Sequence, residues 1–79
     1  MSVDADNMSE AEIWKVLTVA RQAVDVEGYF IDAPEDGIVW YTNPYGVDGA
    51  IEDNEAAVSS FIRSLRKGRN YGSSPFEHI

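Results

Sequence analysis

The chain contains no cysteine, so neither a disulfide framework nor a thiolate metal site is open to it. Small secreted domains usually depend on such staples, and a cytoplasmic setting is therefore the expectation. Histidine occurs once, at His78, one residue from the C-terminus. A general base must be held within hydrogen-bond reach of its substrate, on a support that fixes its geometry. His78 at a loose chain end lacks that support, so it is read as a solvated residue, no catalytic residue is assigned, and the chain is expected not to be an enzyme. Neither GxxxxGK[ST] nor GxGxxG occurs, and the six glycines are scattered as turn and cap residues, so no phosphate cradle and no cofactor are expected. No apolar run approaches the ~20 residues that a membrane-spanning helix requires. Met1 to Asn7 is polar and acidic, the opposite of a secretory signal.

Basic residues are also few, six against fourteen acidic ones. Their placement is uneven. Residues 1–55 hold thirteen acids and two cations, a net −11, whereas residues 56–79 hold four cations and one acid, a net +3, which together give the formal −8. A pI near 4.3 repels phosphate, which argues against nucleic acid as the general partner. It favours a basic partner, or solubility alone.

What is present is enough for a folded core. The chain of 79 residues reads as a single acidic domain, 44% hydrophobic with nine aromatic residues, too apolar for wholesale disorder. Residues 1–8 read as a polar arm. Ser9 and Glu12 form an S-x-x-E capping box, with Met8 and Ile13 placed to close a hydrophobic staple. Ile13, Val16, Leu17, Ala20, Ala23 and Val24 recur at helical spacing, which predicts a helix from about 10 to 26 that stops at Gly28. Tyr29–Asp32 and Ile38–Thr42 are runs of strand-favouring residues. Between them, Pro34 and Asp36-Gly37 supply turn chemistry, so a β-hairpin is predicted. Asn43-Pro44-Tyr45-Gly46 is a second turn. Residues 47–51 are short and apolar enough for a third strand, with Asp48 and Gly49 counting against it. Asp53 or Asn54 caps a second helix, whose stripe is Ala57, Val58, Phe61, Ile62 and Leu65. Gly68 is its expected end, and residues 69–79 read as a loosely held tail from which Tyr71 or Phe76 packs back on the domain. The fold class is α+β, a small antiparallel hairpin or three-stranded meander covered by two helices in the order α-β-β-(β)-α.

Carboxylates are so abundant that pairs of them carry little information. Asp32, Glu35 and Asp36 surround one turn, and Asp48, Glu52, Asp53 and Glu55 surround the start of the second helix. Neither cluster follows the calcium-loop pattern of alternating ligands, central glycine and final glutamate, and no metal site is assigned. Capping and turn chemistry account for many of these residues. Arg63, Arg66, Lys67 and Arg69, followed by Tyr71, are a candidate grip on a single nucleic-acid strand. They also complement the end of a helix dipole, which is the plainer account. Trp40, Tyr41 and Tyr45 form a candidate exposed ridge, since tyrosine and tryptophan are enriched at binding hot spots. Large rings are equally a way for a small domain to fill its core.

In size and charge the chain resembles the small acidic inhibitors made by phages and mobile elements: anti-CRISPR proteins, anti-restriction proteins and the immunity proteins of nuclease bacteriocins. The resemblance is one of composition, and no stretch matches a motif of any of them. Ile38-Val39-Trp40-Tyr41, followed by an acidic turn and a basic-ended helix, is similar in arrangement to the nuclease immunity proteins, but the gap from the first helix is too short for their extra helix. The resemblance implies a non-enzymatic domain that occupies the basic, nucleic-acid-binding surface of a partner protein. The expected partner-binding residues are Asp32, Glu35, Asp36, Trp40, Tyr41, Tyr45, Asp48, Glu52, Asp53 and Glu55. A reading of another class is a small accessory subunit that self-associates or docks within a larger complex.

Overall fold

The computed structural model describes residues 2–71. The elements run β1 (Val3–Asp4), α1 (Glu10–Thr18), β2 (Val24–Val26), β3 (Tyr29–Ile31), β4 (Ile38–Thr42), β5 (Asp48–Glu52) and α2 (Glu55–Tyr71). The class is α+β as expected, with a five-stranded sheet of order β1-β2-β3-β4-β5 where two or three strands were read. Strands β2 to β5 form an antiparallel meander, and β1 pairs parallel to β2. The segment β1-α1-β2 is thus a small βαβ unit, the usual route between parallel neighbours.

The first helix starts as the sequence dictates. The Ser9 hydroxyl accepts from the Glu12 N–H at 3.2 Å and the Glu12 carboxylate accepts from the Ser9 N–H at 2.9 Å. The backbone N–H of Ser9, then its side chain, hold the Glu12 carboxyl below the usual glutamate range, with a further contribution from Lys15. The helix ends at Thr18, however, and not near residue 26. Beyond it the turns widen, with Ala20 N–H donating to Lys15 C=O and Gln22 N–H to Val16 C=O, and Arg21 adopts a left-handed φ of 56°. Val24-Asp25-Val26 then alternates buried, exposed, buried as a strand. The apolar positions 20, 23 and 24 continue the helical count by coincidence, and the period-2 triplet takes precedence because the sheet needs it.

The described residues of the expected arm, 2–8, are tied to the sheet. Val3 N–H donates to Ala23 C=O and Ala5 N–H to Asp25 C=O, and Ala5 is fully buried. Gly28 does not cap a helix. With Glu27 it forms the turn between β2 and β3, both residues at positive φ (52° and 84°), the mirror-image turn that suits a two-residue hairpin. The predicted hairpin of residues 29–42 forms, with Phe30 opposite Thr42 and Ile31 opposite Tyr41. The Glu35–Ile38 bridge closes its loop around Asp36 and Gly37. The third strand forms as Asp48–Glu52. Its glycine has a use: a Cβ on Gly49 would collide with the ring of Tyr41, the residue directly across the pair. Tyr41 thus covers a bare position on an edge strand. Asn54 caps α2, its side-chain oxygen accepting from Ala57 N–H at 2.7 Å. The helix continues through Gly68 to Tyr71, so Gly68 is not its end and residues 69–71 are not tail. The expectations for residues 72–79, including Phe76 and His78, and for packing by the side chain of Tyr71, lie outside the description.

Both helices lie on one face of the sheet. Ile13 and Leu17 from α1, Val58 and Ile62 from α2, Val24, Val26, Ile31 and Val39 from the strands, and Ala5 are all fully buried. Burying one such Val, Leu or Ile side chain contributes about 1.5–3 kcal/mol, so these residues fix which face of the sheet is covered. No described helix is long and apolar enough to cross a membrane.

Candidate docking face

Because strand residues alternate between faces, the register determines what the uncovered side of the sheet displays. One row runs straight across it: Asp4, Asp25, Phe30, Thr42, Asp48. In the next row Trp40 stands between Ala50 on β5 and Asp32, whose N–H donates to the Trp40 C=O. The last row is Ile38 and Glu52. Two large rings therefore stand near the middle of this surface, with Phe30 41% and Trp40 51% exposed. Exposed carboxylates surround them. From Gln22 to Ile62 the chain has nine acidic residues and no lysine, arginine or histidine. Phe30, Asp32, Trp40, Tyr41, Thr42 and Asp48 enclose an open hollow of ≈160 Å³. Thr42 donates its hydroxyl to the Asp48 carboxylate at 2.9 Å, and Asp32 accepts from the Ala33 N–H at 3.0 Å.

The ten residues expected at the interface do not form one surface. Asp32, Trp40, Asp48 and Glu52 share the open face. Glu35 and Asp36 lie exposed at the β3–β4 loop, and Asp53 joins them because its N–H reaches the Gly37 C=O at 3.2 Å. Tyr45 projects from the opposite end, 90% exposed, on a turn whose Asn43 side chain accepts from the Tyr45 and Val47 N–H groups. Glu55 belongs to the first turn of α2, the helix that covers the other side. Tyr41 departs from the expected ridge. Strand alternation sends its ring to the helix side, 4.6 Å between centroids from Phe61 and 5.8 Å from Tyr29. Phe30 and Asp25 are not among the ten expected contact residues, although Asp25 belongs to the acidic surplus from which the face is argued. The alternation of Val24-Asp25-Val26 and of Phe30-Ile31-Asp32 was the signal that places both on the open side.

The basic cluster has a different character from a free patch. Arg66 is three-quarters buried, and its guanidinium donates to Glu10 at 2.9 Å and to the carbonyls of Ala5, Asp6 and Met8 at 3.0, 3.3 and 2.6 Å. It ties α2 to the segment that joins β1 to α1. Arg63 stands 3.8 Å from the same glutamate and is largely exposed, as is Lys67. The side chain of Arg69 lies outside the description. Among the described residues no group of three or more histidine, aspartate or glutamate side chains is placed to hold a metal ion. Comparison of the chain with protein-family models, with curated proteins and with solved structures found no match.

Proposed function

We propose that the open face of the sheet is a docking surface for the basic face of a partner protein, and that the chain acts by occupancy. The observation that carries this reading is the pair of half-exposed rings, Phe30 and Trp40, set among the exposed carboxylates Asp25, Asp32, Asp48 and Glu52 on a sheet face that the helices leave bare. Aromatic residues near the centre of a patch supply residence time, and a polar rim excludes water. Carboxylates of a single sign speed the encounter with a cationic partner and reject anionic ones. A protein surface that binds nucleic acid has the matching charge, and its ligand, a regular array of negative charges, is what this face stands in for. The mechanism is then inhibitory: the chain blocks the site that nucleic acid would fill, in the manner of the mobile-element inhibitors its composition resembles.

The test is competitive. A partner captured on the immobilised chain should be released both by rising salt and by added duplex DNA or RNA. It should not be captured by a variant carrying Trp40→Ala with Asp32→Asn and Asp48→Asn. Partners that the variant retains, or that neither salt nor nucleic acid displaces, would show that the open face is not the docking surface.

A further inference from the structure

The docking face contains a recess, and its lining specifies the side chain that fills it. Phe30 lies opposite Thr42, and Trp40 is two residues along β4, so the rings occupy diagonal positions on neighbouring antiparallel strands. Such positions are ~7–8 Å apart at Cα. Phe30 and Trp40 both line the hollow of ≈160 Å³, so a flat group that enters it meets aromatic surface at the ~3.5–4.0 Å of non-bonded carbon contact. Thr42, short and tied to Asp48 at 2.9 Å, lines the hollow with them. Asp32, the residue after β3, and Asp48 on β5 flank β4 and bring acceptors to the same hollow, and none of its lining residues is a cation.

We infer that the hollow takes a single arginine side chain from the partner's basic surface. The guanidinium lies between Phe30 and Trp40, and its N–H groups donate to Asp32 and Asp48. Guanidinium is the cation whose shape meets both demands. Its faces are weakly hydrated and stack on aromatic rings, while its edge presents several donors in one plane to carboxylates on two sides. A lysine ammonium is a compact, strongly hydrated point charge, which gains from the carboxylates but gives up hydration to approach the rings. This inference rests on the docking reading above and deepens it from a charge preference to a residue preference.

The experiment is a titration of the 15N-labelled full chain with three otherwise identical, uncharged glycine–serine peptides. Their central residue is arginine, lysine or citrulline, which keeps the planar shape and removes the charge. The arginine peptide should shift the amides of Phe30, Asp32, Trp40 and Asp48 and bind about threefold or more tighter than the lysine peptide, the margin that a stacked cation supplies at a half-exposed site. The citrulline peptide should give no saturable shift. Asp32→Asn and Trp40→Leu should each weaken the arginine peptide by a similar factor. Asp32→Asn carries the test alone if the spectrum of the tryptophan variant shows a disturbed fold. Lysine binding as tightly as arginine, or shifts centred away from the hollow, overturns the arginine slot while the docking reading stands on its own competition test. Failure of that competition test, with arginine still bound in the hollow, would instead overturn the docking reading and leave a free-standing guanidinium site.

Discussion

Arg66 belongs to a run of cations that the sequence places near the end of α2, and among those described it is the one that the fold holds. Its fork meets three backbone carbonyls and one carboxylate, a geometry that a lysine cannot reproduce. Hydrogen bonds from a charged group contribute about 1.5–3 kcal/mol where their loss strands a partner. Arg66→Met should therefore destabilise the chain by about 2–3 kcal/mol in urea unfolding. Arg63→Met, which removes an exposed 3.8 Å ion pair, should cost no more than ~0.5 kcal/mol. Equal effects would mean that Arg66 acts only through net charge. Gly49 was read as a weakness in its strand for want of a side chain. It is required, because the Tyr41 ring lies where a Cβ would go and is itself wedged against Phe61. Gly49→Ala should cost about 1–3 kcal/mol, the range for overpacking. Pairing it with Tyr41→Leu should recover part of that loss, and a thermal melt of the double variant no better than the sum of the singles would refute the clash.

At the scale of elements, most of what was legible was local chemistry and most of what was missed was tertiary choice. The Ser9–Glu12 box, the Asp36-Gly37 turn, the Asn43–Gly46 turn and the Asn54 cap each satisfy backbone groups within a few residues, so their residue types suffice to place them. The end of α1 was misjudged because Arg21, not a glycine, takes the left-handed position, and because residues 20, 23 and 24 fall at helical spacing. Only the pairing of Val24 with Val3 and Ile31 makes β2 a strand. β1 was invisible for the same reason: two residues gain strand character from their neighbour alone. The open face is half legible, since Asp32, Trp40, Asp48 and Glu52 are expected there, but the alternation that adds Asp25 and Phe30 is readable only once Val24–Val26 is known to be a strand paired with β3. The capping box gives a prediction at this scale. Ser9→Ala should cost about 1 kcal/mol. The Glu12 carboxyl is held below its ordinary range by Ser9, so its contribution is fully present above the pKa of the unfolded chain and declines as pH falls through the lower, folded value. Glu12→Gln, which keeps the hydrogen-bond acceptor and removes the titration, should flatten the acid side of a stability–pH profile in that window. A profile unchanged by the substitution would remove Glu12 as a contributor.

For the molecule as a whole, the question is what the surplus of negative charge does when the chain is alone. Asp4 and Asp25 stand directly opposite each other on the open face, and like charges so placed oppose the pairing. Caps and turns account for Glu12, Asp36 and the acids at the start of α2. They do not account for Asp25, Asp32, Asp48 and Glu52, whose carboxylates crowd one sheet face with no ion pair to a cation among the described residues. Self-repulsion of this kind weakens the folded state and is screened by salt over ~10 Å at 0.1 M. Neutralising the face with Asp25→Asn, Asp32→Asn, Asp48→Asn and Glu52→Gln should raise the urea midpoint at low ionic strength. The gain should shrink as salt is added, because wild type then recovers most of it. The amide replacements keep the acceptors used by Ala33, Thr42 and Asn54, so local bonding is preserved while charge is removed. On the proposed docking reading, the same variant should also fail to capture a partner that wild type releases on added salt. A fold that tolerates repulsion for the sake of binding gives these two changes in opposite directions: a more stable chain that no longer docks. Carboxylates that serve the fold would instead give a less stable variant at every salt concentration, and that outcome would move the binding surface away from the open face of the sheet.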